Sequence, residues 1–136
     1  MPAKQETQTF LSLTPTTAVS SVSSQTSFAQ GPIKSLAIQA NFTYASGGTS
    51  VDAYVQTSLD NGVTWIDIAE FSFTTSSLRK VFNLTNLAVT SIATPTDGAL
   101  TANTCVNGIL GSLYRVKYVT VGTYAATTLV ITAVPT

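Results

Sequence analysis

A chain of 136 residues is long enough for one domain whose core needs neither disulfides nor a metal to hold it. Its six Lys and Arg balance six Asp and Glu, and histidine is absent, so there is no concentrated basic surface for nucleic acid and no Ser-His or Cys-His nucleophile. Charged residues make up only 9% of the chain, a composition that suits a surface held against neighbours better than one that keeps a lone domain in solution.

No window carries helical periodicity, whereas β-branched residues and period-two alternation recur from end to end. Thr7 to Leu13 reads as an edge strand or an arm closed by Pro15, with residues 1–9 available as an extended N-terminal arm. Ala18 to Gln30 is Ser-rich and unevenly apolar, and suits a short strand, a meandering edge, or both. After Gly31-Pro32 comes the clearest amphipathic strand, with Leu36, Ile38, Ala40, Phe42 and Tyr44 on one face. Ser46-Gly47-Gly48 supplies a turn, and Ser50 to Thr57 returns with Val51, Ala53 and Val55 inward and Asp52, Tyr54 and Gln56 outward.

Asp60-Asn61-Gly62 then makes a tight hairpin turn, because Asn and Gly tolerate the positive φ angles it requires. The strand from Val63 to Phe73 carries apolar bulk on both faces, which places it mid-sheet or beneath a covering loop. Alternation along it sends Asp67 and Glu70 to opposite faces, which leaves them without a shared acid/base role. Leu78 to Leu84 bears Arg79 and Lys80 on opposite faces, the mark of an edge strand. Ala88 to Ala93 is a further short strand, and Thr94 through Gly108 is the longest irregular stretch, a place to look for a partner surface. Tyr114 to Val119 alternates apolar with basic, Gly122-Thr123 turns, and Tyr124 to Val134 ends the chain as a strand.

Seven to nine short strands fit two packed antiparallel sheets better than one open sheet. The expected fold is a single all-β sandwich domain over 1–136, jelly-roll-like first and immunoglobulin-like second. Cys105 is alone, so neither an internal disulfide nor a zinc ligand cluster is expected. No run of about eighteen apolar residues and no secretory leader is present, which implies synthesis in the cytoplasm and no membrane span. Asp60 and Asp97 lack the carboxylate density of a calcium site, and no cofactor is expected. The chain reads as non-enzymatic, and neither nucleic acid nor membrane is expected as a partner.

Ser58-x-Asp60-x-Gly62-x-Thr64-Trp65 matches the Asp-box pattern, a hairpin motif known from sialidase propellers and from unrelated β folds. The likeness implies a structural hairpin of Ser58, Asp60, Gly62, Thr64 and Trp65, in which the Asp ties the turn and the Trp packs beneath it. With Trp65 roofing the core, its removal would cost about 3 to 5 kcal/mol.

A wider resemblance runs over residues 50–134. Tyr54-Val-Gln-Thr-Ser-Leu-Asp-Asn-Gly-Val-Thr-Trp-Ile-Asp-Ile-Ala-Glu-Phe71, Pro95-Thr-Asp-Gly-Ala-Leu100, Gly108-Ile-Leu-Gly-Ser-Leu-Tyr-Arg-Val-Lys117 and Gly122-Thr-Tyr-Ala125 look like a family of small structural proteins of tailed bacteriophages. That resemblance implies a virion protein: a capsid decoration or cement protein bound to the major capsid protein and to copies of itself. A head-tail joining or neck component, bound to head-tail proteins, is the second reading, and a carbohydrate-binding module on the virion surface is the third. The candidate interface residues are Phe10, Leu11, Tyr54, Asp97, Leu100, Arg115 and Lys117.

Overall fold

The computed structural model describes residues 7–16, 19–23, 28–29, 33–87 and 93–136. Strands occur wherever the sequence alternates: β1 (Gln8–Leu13), β2 (Val19–Ser23), β3 (Phe28–Ala29), β4 (Ser35–Thr43), β5 (Ser46–Gly47) and β6 (Ser50–Ser58). They continue as β7 (Ile66–Phe73), β8 (Leu78–Thr85), β9 (Leu113–Val121), β10 (Tyr124–Ala125) and β11 (Thr128–Pro135). One sheet, A, runs β1-β11-β4-β8, and a second, B, runs β2-β9-β6-β7 with β3 also on β9. All these pairings are antiparallel.

The pairings nest. Setting aside the two-residue strands, the first long strand pairs with the last (β1 with β11), β2 with β9, β4 with β8 and β6 with β7. An antiparallel ribbon wound round on itself in this way is a jelly roll, which is the preferred expectation from sequence. An immunoglobulin-like order is therefore set aside. Of the Ser-rich segment the described residues form β2 and β3, both paired with β9; residues 24–27 lie outside the described residues. Of the expected arm, Gln8 and Thr9 belong to β1, which is an edge strand of sheet A, and residues 1–6 lie outside the described residues. The short strand expected at 88–93 falls almost wholly outside them as well.

The core lies between the sheets. From sheet A, β4 contributes Leu36, Ile38, Ala40 and Phe42, and β11 contributes Leu129, Ile131 and Ala133. Facing them from sheet B are Val51, Ala53 and Val55 of β6, Ala69, Phe71 and Phe73 of β7, and Tyr114 and Val116 of β9. Aromatic pairs stitch the layers together: Phe42 stacks on Phe73 at 4.9 Å, Phe71 meets Phe82 at 5.0 Å, and Phe10 lies over Tyr114 at 6.1 Å.

The turn at Ser46-Gly47-Gly48 does not fold β6 back beside β4, as the sequence suggested. It carries the chain from sheet A to sheet B, and Ser46–Gly47 pair instead with Tyr124–Ala125. Gly48 has a φ of 68°, and a Cβ there would collide with the Tyr124 ring, whose hydroxyl donates to the Thr74 carbonyl at 2.7 Å. The crossing and the corner are thereby locked to each other.

Phe42 sits where these contacts converge, stacked on Phe73 and edge-on to Tyr124 at 5.8 Å. Phe42→Ala is expected to lower stability by about 3 to 5 kcal/mol through loss of buried area and a residual cavity, measurable as a shift in the urea midpoint.

Candidate functional site

The strand β7 departs from simple alternation at one residue. Val55 pairs with Ala69 and Gln56 with Asp67, so Ile68 is an extra residue in β7, a β-bulge. The bulge reverses the parity of everything before it. Asp67 and Glu70, expected on opposite faces, share the outer face of sheet B, beside Gln56 and Tyr54 respectively.

Both carboxyls are only 1% exposed, because the irregular segment from Thr94 to Gly108 lies over them and along the edge of β7. The Asp67 carboxylate accepts from the amides of Gly98 at 2.8 Å, Ala99 at 3.0 Å and Leu100 at 3.2 Å, from the Thr96 hydroxyl at 2.8 Å and from Gln56 Nε2 at 2.8 Å. Successive amides turned toward one oxygen pair make a small anion-binding nest, for which Gly98 supplies a φ of 83°. Backbone bonds then run down the strand edge, from the amide of Asp67 to Thr96 O, Glu70 to Thr104 O and Val106 to Ile68 O. The strand with two apolar faces is thus an edge strand under a covering loop.

The expected interface residues of this region are engaged within the chain. Asp97 Oδ1 accepts from Gln56 Nε2 at 2.6 Å and Lys117 Nζ at 3.1 Å, with Arg115 at 3.6 Å. Burial pushes the Asp97 carboxyl up, but the Gln56 hydrogen bond and the two cations outweigh it and hold the group below its usual range. Arg115 Nε donates to Gln56 Oε1 at 2.6 Å, and its guanidinium lies 4.4 Å from the Trp65 ring. Trp65 is therefore half-buried on the outer face, with its ring beside the hairpin turn at Gly62 and not in the core, since Ile66, one residue later, is the one turned inward opposite Thr57. Its removal forfeits a stacking contact worth about 1 kcal/mol, not a core anchor.

The hairpin itself has the expected turn. Asn61 and Gly62 have φ of 57° and 88°. Ser58 Oγ donates to Asp60 Oδ1 at 2.9 Å and accepts from the Gly62 amide at 2.8 Å. Asp60 accepts from the Thr64 amide at 2.8 Å and the Thr64 hydroxyl at 2.6 Å, and these bonds lower its pKa. The tip left by this internal bonding displays Leu59 (63% exposed) and Val63 (79%), two apolar side chains that the motif's fixed positions did not draw attention to.

Glu70 is the second buried acid. Its Oε2 accepts from the Asn103 amide at 2.6 Å, while the buried Oε1 has no hydrogen-bond donor beside it. Burial is the main cause that pushes its pKa up to about 8; the Asn103 amide pulls it back, Asp52 raises it further, and Lys80 lowers it. With its pKa raised to about 8, Glu70 keeps its proton at neutral pH. Lys80, anchored on the Ser72 carbonyl and on Asn103 Oδ1, lies 4.8 Å from the Phe73 ring.

Of the remaining expected interface residues, Phe10 and Leu11 are buried in the core and Tyr54 is half-buried between Asp52, Glu70 and Asp67. Leu100 takes part through its amide in the Asp67 nest. The broad open surface is on the other side of the molecule. The outer face of sheet A is built from Ala37, Gln39 and Asn41 of β4, Val81 and Asn83 of β8, and Val130, Thr132 and Val134 of β11. Arg79 is its one charged residue among the described strands. A shallow groove of 540 Å³ runs across it between Thr7, Gln39, Val81, Asn83 and Thr132. Among the described residues no cluster of three or more Cys, Asp or Glu is placed to hold a metal ion, and no helix is long and apolar enough to cross a membrane. No protein-family model, curated protein or solved structure matches the chain.

Two outcomes follow from the buried acids. Asp67→Ala is expected to strand the loop amides, lower stability by about 2 to 4 kcal/mol, and speed hydrogen exchange at Gly98 to Leu100 far more than in β4. For Glu70, the folded pKa lies above the unfolded value of 4.5, so its contribution is complete below that value and is lost as pH rises through about 8. Melting temperature should fall between about pH 5 and pH 9, and Glu70→Gln, which keeps the shape and cannot ionise, should flatten that slope.

Proposed function

We propose that this protein is a non-enzymatic structural component of a tailed-bacteriophage virion, a capsid decoration protein that binds the major capsid protein and copies of itself. The observation that carries the reading is the division of labour between the two outer faces. On sheet B, the acids, amides and cations that could bind or transform a small molecule are consumed in holding the chain's own loop. On sheet A, a wide face of Ala, Val, Thr, Asn and Gln is left open with Arg79 as its one charge.

A neutral, nearly uncharged face costs little to desolvate and suits a protein seated on a regular lattice, where symmetry repeats each weak contact. The apolar tip of the hairpin, Leu59 and Val63, offers a second point of attachment. The resemblance of residues 50–134 to small phage structural proteins points the same way.

Quantitative mass spectrometry of purified particles tests the assignment. A decoration protein should be present at hundreds of copies per virion, whereas about six or twelve would move it to the neck or tail. Absence from the particle would overturn the virion reading altogether.

A further inference from the structure

A sandwich of two open sheets has four edges; one of them is covered here and two are kinked. The free side of β7 is bonded to the loop through Thr96, Thr104 and Val106. The edge strand β1 carries a register shift between Thr9 and Leu11, and β2 carries one between Val19 and Val22. Shifts of that kind twist an edge away from new partners. The fourth edge, β8, pairs with β4 in unbroken register over its whole length.

The direction of its free backbone groups can be read from its end. The Thr85 amide takes Asn107 Oδ1 as acceptor at 3.1 Å, and the Thr85 carbonyl accepts from the Gly108 amide at 2.8 Å, both on the side away from β4. Backbone groups alternate along an antiparallel strand, so Asn83, Val81 and Arg79 also turn theirs outward. Among the described residues these three have no partner beyond the β4 ladder. Val81 is 66% exposed.

We propose that two copies of the chain pair antiparallel along β8 about a two-fold axis at Val81, joining their A sheets into one continuous sheet. The inference rests on the reading that the protein assembles with itself, and it names the edge that does so. The strand is self-complementary in this register. Val81 meets Val81, Arg79 meets Asn83, and Lys80 meets Phe82, so both cations sit at one end of β8 and no like charges are opposed. Three facing pairs of outward residues would exchange about six main-chain hydrogen bonds. The outer faces, with Arg79 as the one charge of each, and their grooves would then run on across the seam.

Sedimentation velocity over a concentration series should show the wild-type chain passing from monomer to dimer. Val81→Pro removes an amide that points away from β4, so it should leave the melting temperature close to wild type and hold the protein monomeric. In a Cys105→Ser background, Val81→Cys should form a disulfide dimer on mild oxidation, because paired Cα atoms about 5.5 Å apart lie within disulfide reach. Asn83→Cys should not, since the two copies would be about 14 Å apart. The cysteine pair decides the matter even if the proline variant fails to fold.

A wild-type chain that stays monomeric throughout, or a dimer that survives Val81→Pro, would overturn this interface. Equal crosslinking at 81 and 83 would overturn the register. None of these results alters the copy number on particles, so the virion reading stands or falls separately.

Discussion

A carboxylate taken out of water must be given donors, and Asp67 finds most of its donors in the backbone of a loop distant in sequence. That requirement organises one whole side of the molecule. The loop amides are turned inward by Asp67, the strand edge behind it is closed by the same loop, and Gln56 passes the network on to Asp97 and Arg115. An irregular segment of this length would otherwise leave its own polar backbone unpaired against the sheet. The bulge at Ile68 is part of the same arrangement, because it is what brings Asp67 and Glu70 to one face and frees the Ile68 carbonyl to receive the Val106 amide.

The nested pairing of the jelly roll supplies the frame. Winding the chain so that its first and last long strands are neighbours puts the termini of the ladder in sheet A and puts β6, β7 and β9, which bear Asp52, Asp67, Glu70, Arg115 and Lys117, in sheet B. Polar chemistry is thereby concentrated on one face, where the chain consumes it, and the opposite face is left with Arg79 as its one charge. Two buried acids have different surroundings within this frame. Asp67 is surrounded by donors, whereas Glu70 accepts from one amide, and burial, with Asp52 nearby, leaves it protonated at neutral pH.

The surface that remains is one suited to contact with like and regular neighbours. Three sheet edges are covered or kinked and one is regular, and the regular one borders the face whose one charge is Arg79. A low charge content, which would be a liability for a free domain, is no liability for one whose broad face is covered.

Much of the fold was legible in the chain by itself. The alternation of Leu36, Ile38, Ala40 and Phe42, of Val51, Ala53 and Val55, and of Leu129, Ile131 and Ala133 gave the strands and their buried faces, since side-chain direction in a strand is a local property of period two. Asn61 and Gly62 marked a turn with positive φ for an equally local reason, and Arg79 with Lys80 marked an edge. Only the tertiary structure decided the rest. A bulge depends on what the partner strand needs opposite it, so parity counting placed Asp67 and Glu70 apart. The chain's passage from β4 into a different sheet at Gly48 depends on the ring of Tyr124, a residue far along the sequence. The sequence by itself determined which residues alternate and where the chain must turn; the fold decided which acids are buried together, what covers them, and which edge is left open, because each of those depends on partners that meet only when the ribbon is wound.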